Sequence, residues 1–225
     1  MIEHAPNNEE AELVGVLTLG NGARAATLTN AFPTLIPYHE ALELNRLVLL
    51  DRIPANAESW FTSRALRIAA EHGIRGVTTF SDPSQFWQSQ ADGSRLLVKR
   101  GHVGSVYQAL NMVYLGRSRP TRRLYFPDGI EISRRALTKI LGREVGADGV
   151  VARLIARGAP PPHPDPDRVD WRSWLDDALI ACGVQRLHHP GNHKYALRVG
   201  RSRAERTCTV IASTRAASYP KHLTL

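Results

Sequence analysis

The chain has 225 residues, 43% of them hydrophobic and 22% charged, with a formal net charge of +8, enough apolar content to bury the core of one domain, with or without an appendage. No run approaches the roughly 20 consecutive apolar residues of a membrane helix, and the first ten residues have neither the basic start nor the apolar stretch of a signal peptide, so no membrane partner and a cytoplasmic location are expected. Cys182 and Cys208 stand far apart and outside any metal or redox spacing, which fits structural thiols in a reducing compartment.

The charge is segregated. Residues 1–50 carry two basic side chains against six acidic ones, residues 117–157 carry ten against four, and the segment from Arg186 onward carries eight against one. Such an electropositive face attracts a polyanion, and the excess of arginine over lysine suits planar phosphate and base contacts, so double-stranded DNA is the expected partner rather than a merely solvated surface. Arg117, Arg119, Arg122, Arg123, Arg134, Arg135 and Lys139 are the candidate DNA contacts.

In chain order, residues 1–10 read as disordered and 11–19 as a strand closed by the turn signal Gly20-Asn-Gly22. Residues 44–50 form an apolar run suited to the centre of a sheet. The turn Asp51-Arg-Ile-Pro-Ala-Asn56 follows, with Asn56 as N-cap of a helix to about Ala70 whose apolar face is Phe61, Ala65, Ile68 and Ala69. Gly73 suits the left-handed residue that ends it. Residues 74–81 read as a strand, and strand, helix, strand within forty residues makes a βαβ unit with parallel neighbours. The turn between the first of these strands and the helix presents unpaired backbone N–H groups, a place to hold an anion.

Residues 84–100 read as a polar surface excursion containing Phe86 and Trp87. A second amphipathic helix is expected over 101–116, then a basic connector over 117–123 and a short strand at 124–126. Two short, arginine-bearing helices separated by glycines are expected between Ile132 and Gly158, a weak helix-turn-helix signal. Residues 159–166 are a Pro-rich linker, 171–182 a helix, and strands near 195–199 and 207–211 are expected to close the sheet as a hairpin. His188-His-Pro-Gly-Asn-His193 lacks carboxylate or cysteine companions at helical spacing, so a basic loop near DNA is expected there rather than a zinc site.

The strand, anion-holding turn and helix at 44–72, followed by a strand and by Tyr107-Gln-Ala-Leu-Asn-Met-Val-Tyr-Leu-Gly116, is similar to the core of GNAT acyltransferases. More narrowly, Glu43-Leu-Asn-Arg-Leu47, Asn56-Ala-Glu-Ser-Trp-Phe61, Ser81-Asp-Pro83, Gly101-His-Val-Gly-Ser-Val-Tyr-Gln-Ala-Leu-Asn111 and Tyr219-Pro-Lys221 resemble the Mom-like phage proteins, GNAT-related enzymes that modify adenine in DNA. The resemblance covers residues 11–125 well and the tail loosely. It implies an α/β fold with a GNAT-like central mixed sheet flanked by helices and a basic helical insertion. The expected organisation is a disordered N-terminus at 1–10, a GNAT-like core at 11–126, the basic helical insertion and Pro-rich linker at 127–183, and C-terminal strands completing the sheet, with a basic tail, at 184–225. For a phage-encoded enzyme the location is the host cytoplasm.

The resemblance also implies an acyl donor, acetyl-CoA or another activated acyl carrier, whose phosphates would meet the turn and helix start at Arg52, Ile53, Pro54, Asn56, Ala57 and Ser59. Arg52-Ile-Pro-Ala-Asn-Ala57 keeps the arginine and small last residue of the usual loop but has no glycine, and Glu58 would repel a phosphate beside it. Asn56 and Ser59 serve equally as helix caps.

Acyl transfer to an amine needs a polarised carbonyl, a positioned amine and a base. His102, at a helix start beside the crevice, is the first candidate base, the alternative being a histidine that caps or packs. Asp82 could orient His102, receive the amine, bind a metal or simply form an Asp-Pro turn. Tyr107 could reach a thiolate or oxyanion, or belong to the core. Glu43 and Arg46 flank the central strand as crevice groups or salt-bridge partners. An iron or other metal, for instance at His102, Asp82 and His39, is left open.

The function expected is acyl-type modification of a base amine, adenine N6 first, in double-stranded DNA, protecting it from restriction. Alternatives are acylation of an amine on a hypermodified pyrimidine or of another amine, and a DNA-binding protein with a GNAT-like core but no catalysis.

Overall fold

In the computed structural model, which describes residues 2–4, 11–54, 56–90, 92–212, 218–221 and 223, the chain begins with β1 (Ile2–His4), β2 (Ala11–Leu13) and β3 (Gly15–Gly20). β1 pairs antiparallel with β2, so residues 2–4 form a strand where disorder was expected; the rest of that expectation lies outside the described residues. The strand expected over 11–19 is divided at the buried Val14. Then come α1 (Ala25–Thr29), β4 (Ala41–Leu49) and α2 (Ala57–Glu71).

Asn56 stands at the N-cap of α2 but in the left-handed conformation, φ 78°, with no side-chain cap bond. α2 buries Thr62, Leu66, Ala69 and Ala70, whereas Ile68 is 57% exposed. The expected face is therefore one residue, about 100°, out of register. Packing decides it: the small Ala69 and Ala70 let Leu66 join Leu44 and Val77 in one core, and that fit outweighs the larger apolar side chains on the neighbouring stripe. Gly73, φ 88°, ends the helix as expected, and β5 (Gly76–Ser81) follows.

Residues 84–100 are not irregular: β6 (Phe86–Ser89) and β7 (Arg95–Lys99) pair as an antiparallel hairpin. The second helix is shorter than expected. α3 spans only Ser105–Ala109, Asn111 takes φ 54°, and β8 (Val113–Arg117) begins. Val113, Tyr114 and Leu115 suit a strand, and over so short a run the two periodicities overlap. β9 (Thr121–Tyr125) and β10 (Glu131–Ile132) precede α4 (Arg134–Leu141), capped by Ser133, and α5 (Ala147–Ile155). These are the two short helices expected after Ile132. α6 (Trp171–Ala181) is capped by Asp170, and β11 (Gln185–His189) and β12 (His193–Arg198) follow. Where a final strand was expected, α7 (Arg203–Cys208) forms instead, its N-terminus closed by Ser202 Oγ accepting from Glu205 N at 3.1 Å.

The chain divides into two compact units. The first, residues 1–83, 102–119 and 191–224, contains a five-stranded sheet in the order β3-β4-β5-β12-β8. β4 and β5 are parallel, as the βαβ reading requires, and the remaining pairs are antiparallel. Leu44, Val77, Tyr107 and Tyr195 pack with α2 in one core cluster, and Leu28, Phe32, Ala41 and Ala196 in another. The fold is mixed α/β, a central mixed sheet flanked by helices.

The second unit, residues 84–101 and 120–190, contains the β6–β7 hairpin, a three-stranded sheet β10-β9-β11, and α4, α5 and α6 around Ile140, Leu154, Trp174 and Ala178. The insertion is thus larger than the expected 127–183. β11 pairs with β9 rather than completing the main sheet, a long-range choice that strand composition does not encode. Among the described residues no helix is long and apolar enough to cross a membrane.

Candidate functional site

The parallel pairing of β4 and β5 runs only from Ala41 and Gly76 to Leu44 and Thr79. At that last rung Thr79 Oγ1 donates to the Leu44 carbonyl at 3.1 Å. Beyond it β4 continues beside β3 to Leu49, and β5 beside β12 to Ser81, so the two strands part. The β3–β4 register shifts there, with Asn45 as the extra residue of a β-bulge, the device that re-aims a strand next to a site. The Asn45 side chain lies over Gly20, where a Cβ would come 2.8 Å from its Nδ2.

A cleft of about 490 Å³ opens where the strands part, walled by residues 44–48 on one side and by Phe80, His102, Tyr107 and Glu58 on the others. His102 is exposed, and its backbone N–H donates to the Asp82 carbonyl at 2.8 Å. Tyr107 is 7% exposed. Burial pushes its hydroxyl up from the usual phenol range and Glu58 adds to that, while a hydrogen bond with Thr79 opposes it; the hydroxyl keeps its proton.

Gly104 fixes this corner. It has φ 78°, and a Cβ there would meet Tyr107 Cδ2 at 2.8 Å and Tyr195 Cε2 at 2.9 Å, so only glycine fits. The tail contributes as well. Gln108 Nε2 donates to the carbonyls of Val103 at 3.1 Å and Pro220 at 3.2 Å, and Tyr219 Oη donates to Met112 O at 2.8 Å. The Tyr219-Pro220 segment thus ties down the helix that carries Tyr107.

His193, expected in a basic loop, is buried in the central sheet, and His189 is buried in β11. His193 Nδ1 lies 2.8 Å from Tyr114 Oη, and its Nε2 lies 3.5 Å from Arg117 Nη2. A guanidinium only donates, so Nε2 is assigned as acceptor and Nδ1–H donates to Tyr114. Burial first, then Arg117 and His102, hold the His193 imidazole below its usual range, and it stays neutral. Nothing in the sequence singled out the Tyr114 partner, because the pairing of β8 with β12 brings them together across 79 residues.

The other candidates fall elsewhere. Arg46 lines the cleft. Glu43 and Leu44 are successive strand residues and point to opposite faces; the Glu43 carboxyl packs at Gly22 and does not line the cleft. Burial raises its pKa, partly offset by Lys194, whose own pKa burial lowers. Asp82 is half-buried and meets His102 through the backbone.

Of the expected cofactor contacts, Arg52 is ion-paired with Glu12 and Ser59 Oγ bonds back to Asn56 O at 3.0 Å. None of Arg52, Ile53, Pro54, Asn56, Ala57 and Ser59 lines the cleft, whereas Glu58 does. Among the described residues no three His, Cys, Asp or Glu side chains group as metal ligands would, so His102, Asp82 and His39 are not such a set.

The arginines separate too. Arg117 and Arg119 are exposed in the first unit. Arg122, Arg123 and Arg134 line a groove of about 720 Å³ in the second, together with Arg186, which strand register brings opposite Leu124. Arg123 is paired with Glu131 at 3.0 Å. Arg135 is held by both carboxylate oxygens of Glu144, and neither it nor Lys139 lines the groove.

The family model of the Mom protein family matches residues 8–148, a span that takes in β4, the cleft residues and α4. The chain belongs to the Mom protein family. Membership points to DNA modification, and the match extends past residue 125, where the well-covered part of the sequence resemblance ends. Among solved structures the chain is similar to a tandem GNAT protein from the clavulanic acid biosynthesis pathway, with 11% identity and a TM-score of 0.29, over 82% of this chain and 50% of that one. The chain thus spans half the length of that protein. No curated protein matches it.

Proposed function

We propose that this Mom-family chain is a transferase that places an acyl-derived group on a base amine of double-stranded DNA, adenine N6 first, and so shields the DNA from restriction. The observation that supports this most directly is the juxtaposition of an exposed imidazole, His102, and a buried, protonated phenol, Tyr107, in one cleft at the parting of two parallel strands. A ligand site at the carboxyl ends of parallel strands is the usual placement in α/β sheets.

An activated acyl carrier, when bound, supplies an electrophilic carbonyl and a leaving group. His102 takes the proton that the attacking amine loses as the nitrogen–carbon bond forms. Tyr107 Oη hydrogen-bonds the developing negative charge, gives a proton to the departing group as its bond to carbon breaks, and is replenished from the imidazolium. Phe80 and the apolar side chains of Leu44 and Leu47 limit water at the reacting atoms. The cleft fits the acyl end of a carrier better than a pyrophosphate, because the residues expected to grip phosphates do not line it and Glu58 does; acetyl-CoA is one carrier among others.

Arg122, Arg134 and Arg186 are the proposed phosphate contacts of the DNA, with Arg123 partly neutralised by Glu131. Nucleoside mass spectrometry of DNA from cells expressing the chain or a His102→Ala variant tests the proposal. The arginine groove also supports a second reading, DNA binding without catalysis. An unchanged nucleoside profile with DNA binding retained selects that reading.

A further inference from the structure

The insertion between Asp82 and His102 has no part in the chemistry above. It leaves the main sheet at the end of β5 and returns at the candidate base, and the 2.8 Å bond from His102 N to Asp82 O pins its two ends together. Between them stands the β6–β7 hairpin. Its root is packed: Phe86 is 4% exposed and lies against Tyr125, with ring centroids 5.4 Å apart and the planes tilted by 40°, and Lys99 Nζ lies 5.8 Å from the same ring. Its tip is a turn in which Gln90 N donates to Ser94 O at 2.8 Å and Gly93 takes φ 81°.

Past the root both faces of the ribbon carry exposed apolar side chains. Trp87 is paired across from Leu97, and Ser89 from Arg95, on one face; Gln88 is paired with Leu96 on the other. Trp87 is 41% exposed, Leu96 55% and Val98 38%. A two-stranded hairpin with apolar groups open to water on both faces is marginal by itself, so it presents these groups to something. The charges around them identify the occupant. Arg95, Lys99 and Arg100 stand on this ribbon against one acid, Asp92, among its described residues, and the Arg95 guanidinium lies 5.5 Å from the Trp87 ring. A flat aromatic flanked by cations is the composition of a surface on which nucleic-acid bases stack while phosphates are neutralised.

We infer that the β6–β7 hairpin is the element that unstacks the duplex, with Trp87 filling or flanking the space that the extruded base leaves and Arg95, Lys99 and Arg100 meeting the adjoining phosphates. The inference rests on the proposed function, since modification of an amine inside a duplex requires the base to leave the stack. It assigns that work to an insertion spliced directly onto His102.

The test uses the full chain and a short duplex with 2-aminopurine at several adenine positions, reading its fluorescence, which rises on unstacking, beside binding by anisotropy. The wild-type chain is expected to raise the fluorescence. Trp87→Ala abolishes the rise and weakens binding by roughly ten- to a hundredfold, the range associated with losing one aromatic stacking partner; Trp87→Phe, which keeps a ring, restores most of both. On a duplex with 2-aminopurine opposite an abasic site the Ala variant recovers, because the base is already free. No rise with the wild-type chain, or the same rise with Trp87→Ala, overturns the inference. So does a Trp87→Ala variant that leaves fluorescence intact but halves the mass in solution, which assigns the face to a second copy of the chain. Nucleoside analysis of the same proteins keeps the two claims apart: a modified nucleoside formed equally by both chains sinks the hairpin's role and leaves the proposed function standing, whereas a Trp87-dependent fluorescence rise with no modified nucleoside does the reverse.

Discussion

The backbone N–H of His102 meets the carbonyl oxygen of Asp82 at 2.8 Å, closing a loop of some twenty residues onto the end of a central strand. This bond holds the His102 backbone at the mouth of the cleft. His102→Ala is therefore expected to lower the rate of base modification by about 10²–10⁴-fold, the usual contribution of a positioned base. Because His102 is exposed, its removal should change stability by no more than about 0.5 kcal/mol, which a thermal melt beside the rate measurement checks.

Gly104 carries a different load. An alanine there combines a left-handed backbone with contacts of 2.8 Å and 2.9 Å to two tyrosine rings. Gly104→Ala should destabilise the chain by about 2–5 kcal/mol, strain and overpacking together, and denaturant unfolding will show it as a lower midpoint. The activity of whatever fraction folds should fall too, since Tyr107 must move.

His193 makes stability depend on pH. Its folded-state pKa is depressed below the ordinary 6.5, so the unfolded chain binds the proton more readily. The associated stability is fully present above about pH 6.5 and is lost as pH falls through that value toward the folded pKa, at no more than about 1.4 kcal/mol per pH unit. His193→Gln should flatten that part of the stability curve. It should also cost about 1–3 kcal/mol at neutral pH through the disturbed Tyr114 bond. Denaturant midpoints measured from pH 8 to 5 read both effects.

How much of this is legible beforehand depends on the range of the interaction. The parallel β4–β5 pair, α2 and its Gly73 end follow from local pattern and chain order. The face of α2 does not: Phe61 and Ile68 look like the core stripe, yet Leu66 is buried because Ala69 and Ala70 let it close on Val77. Leu66→Ala is accordingly expected to cost about 2–5 kcal/mol and Ile68→Ala less than about 0.5, a contrast that paired unfolding curves decide.

His102 and Tyr107 could be found because they stand together in a motif-like stretch. Tyr114 with His193 could not, since strand register between distant segments joins them. The helix at 203–208 was legible after all, in Ser202-Arg-Ala-Glu205, a capping signature that the β-branched residues after it obscure.

The groove arginines should announce themselves through salt. Replacing Arg122, Arg134 or Arg186 by alanine is expected to weaken DNA binding evenly across sequences and to reduce the slope of log affinity against log salt by about 1 each. Arg135→Ala should leave the slope unchanged, because Glu144 already holds that guanidinium. Titrations at several salt concentrations separate the two classes.

A cleft between β4 and β5 that modifies a base amine must change the composition of DNA, and that is its most direct test. In DNA from cells expressing the chain, nucleoside mass spectrometry should find a heavier derivative of deoxyadenosine at the expense of deoxyadenosine, absent with His102→Ala. A nucleoside profile identical with and without the wild-type chain, in cells where the protein is folded and bound to DNA, contradicts it.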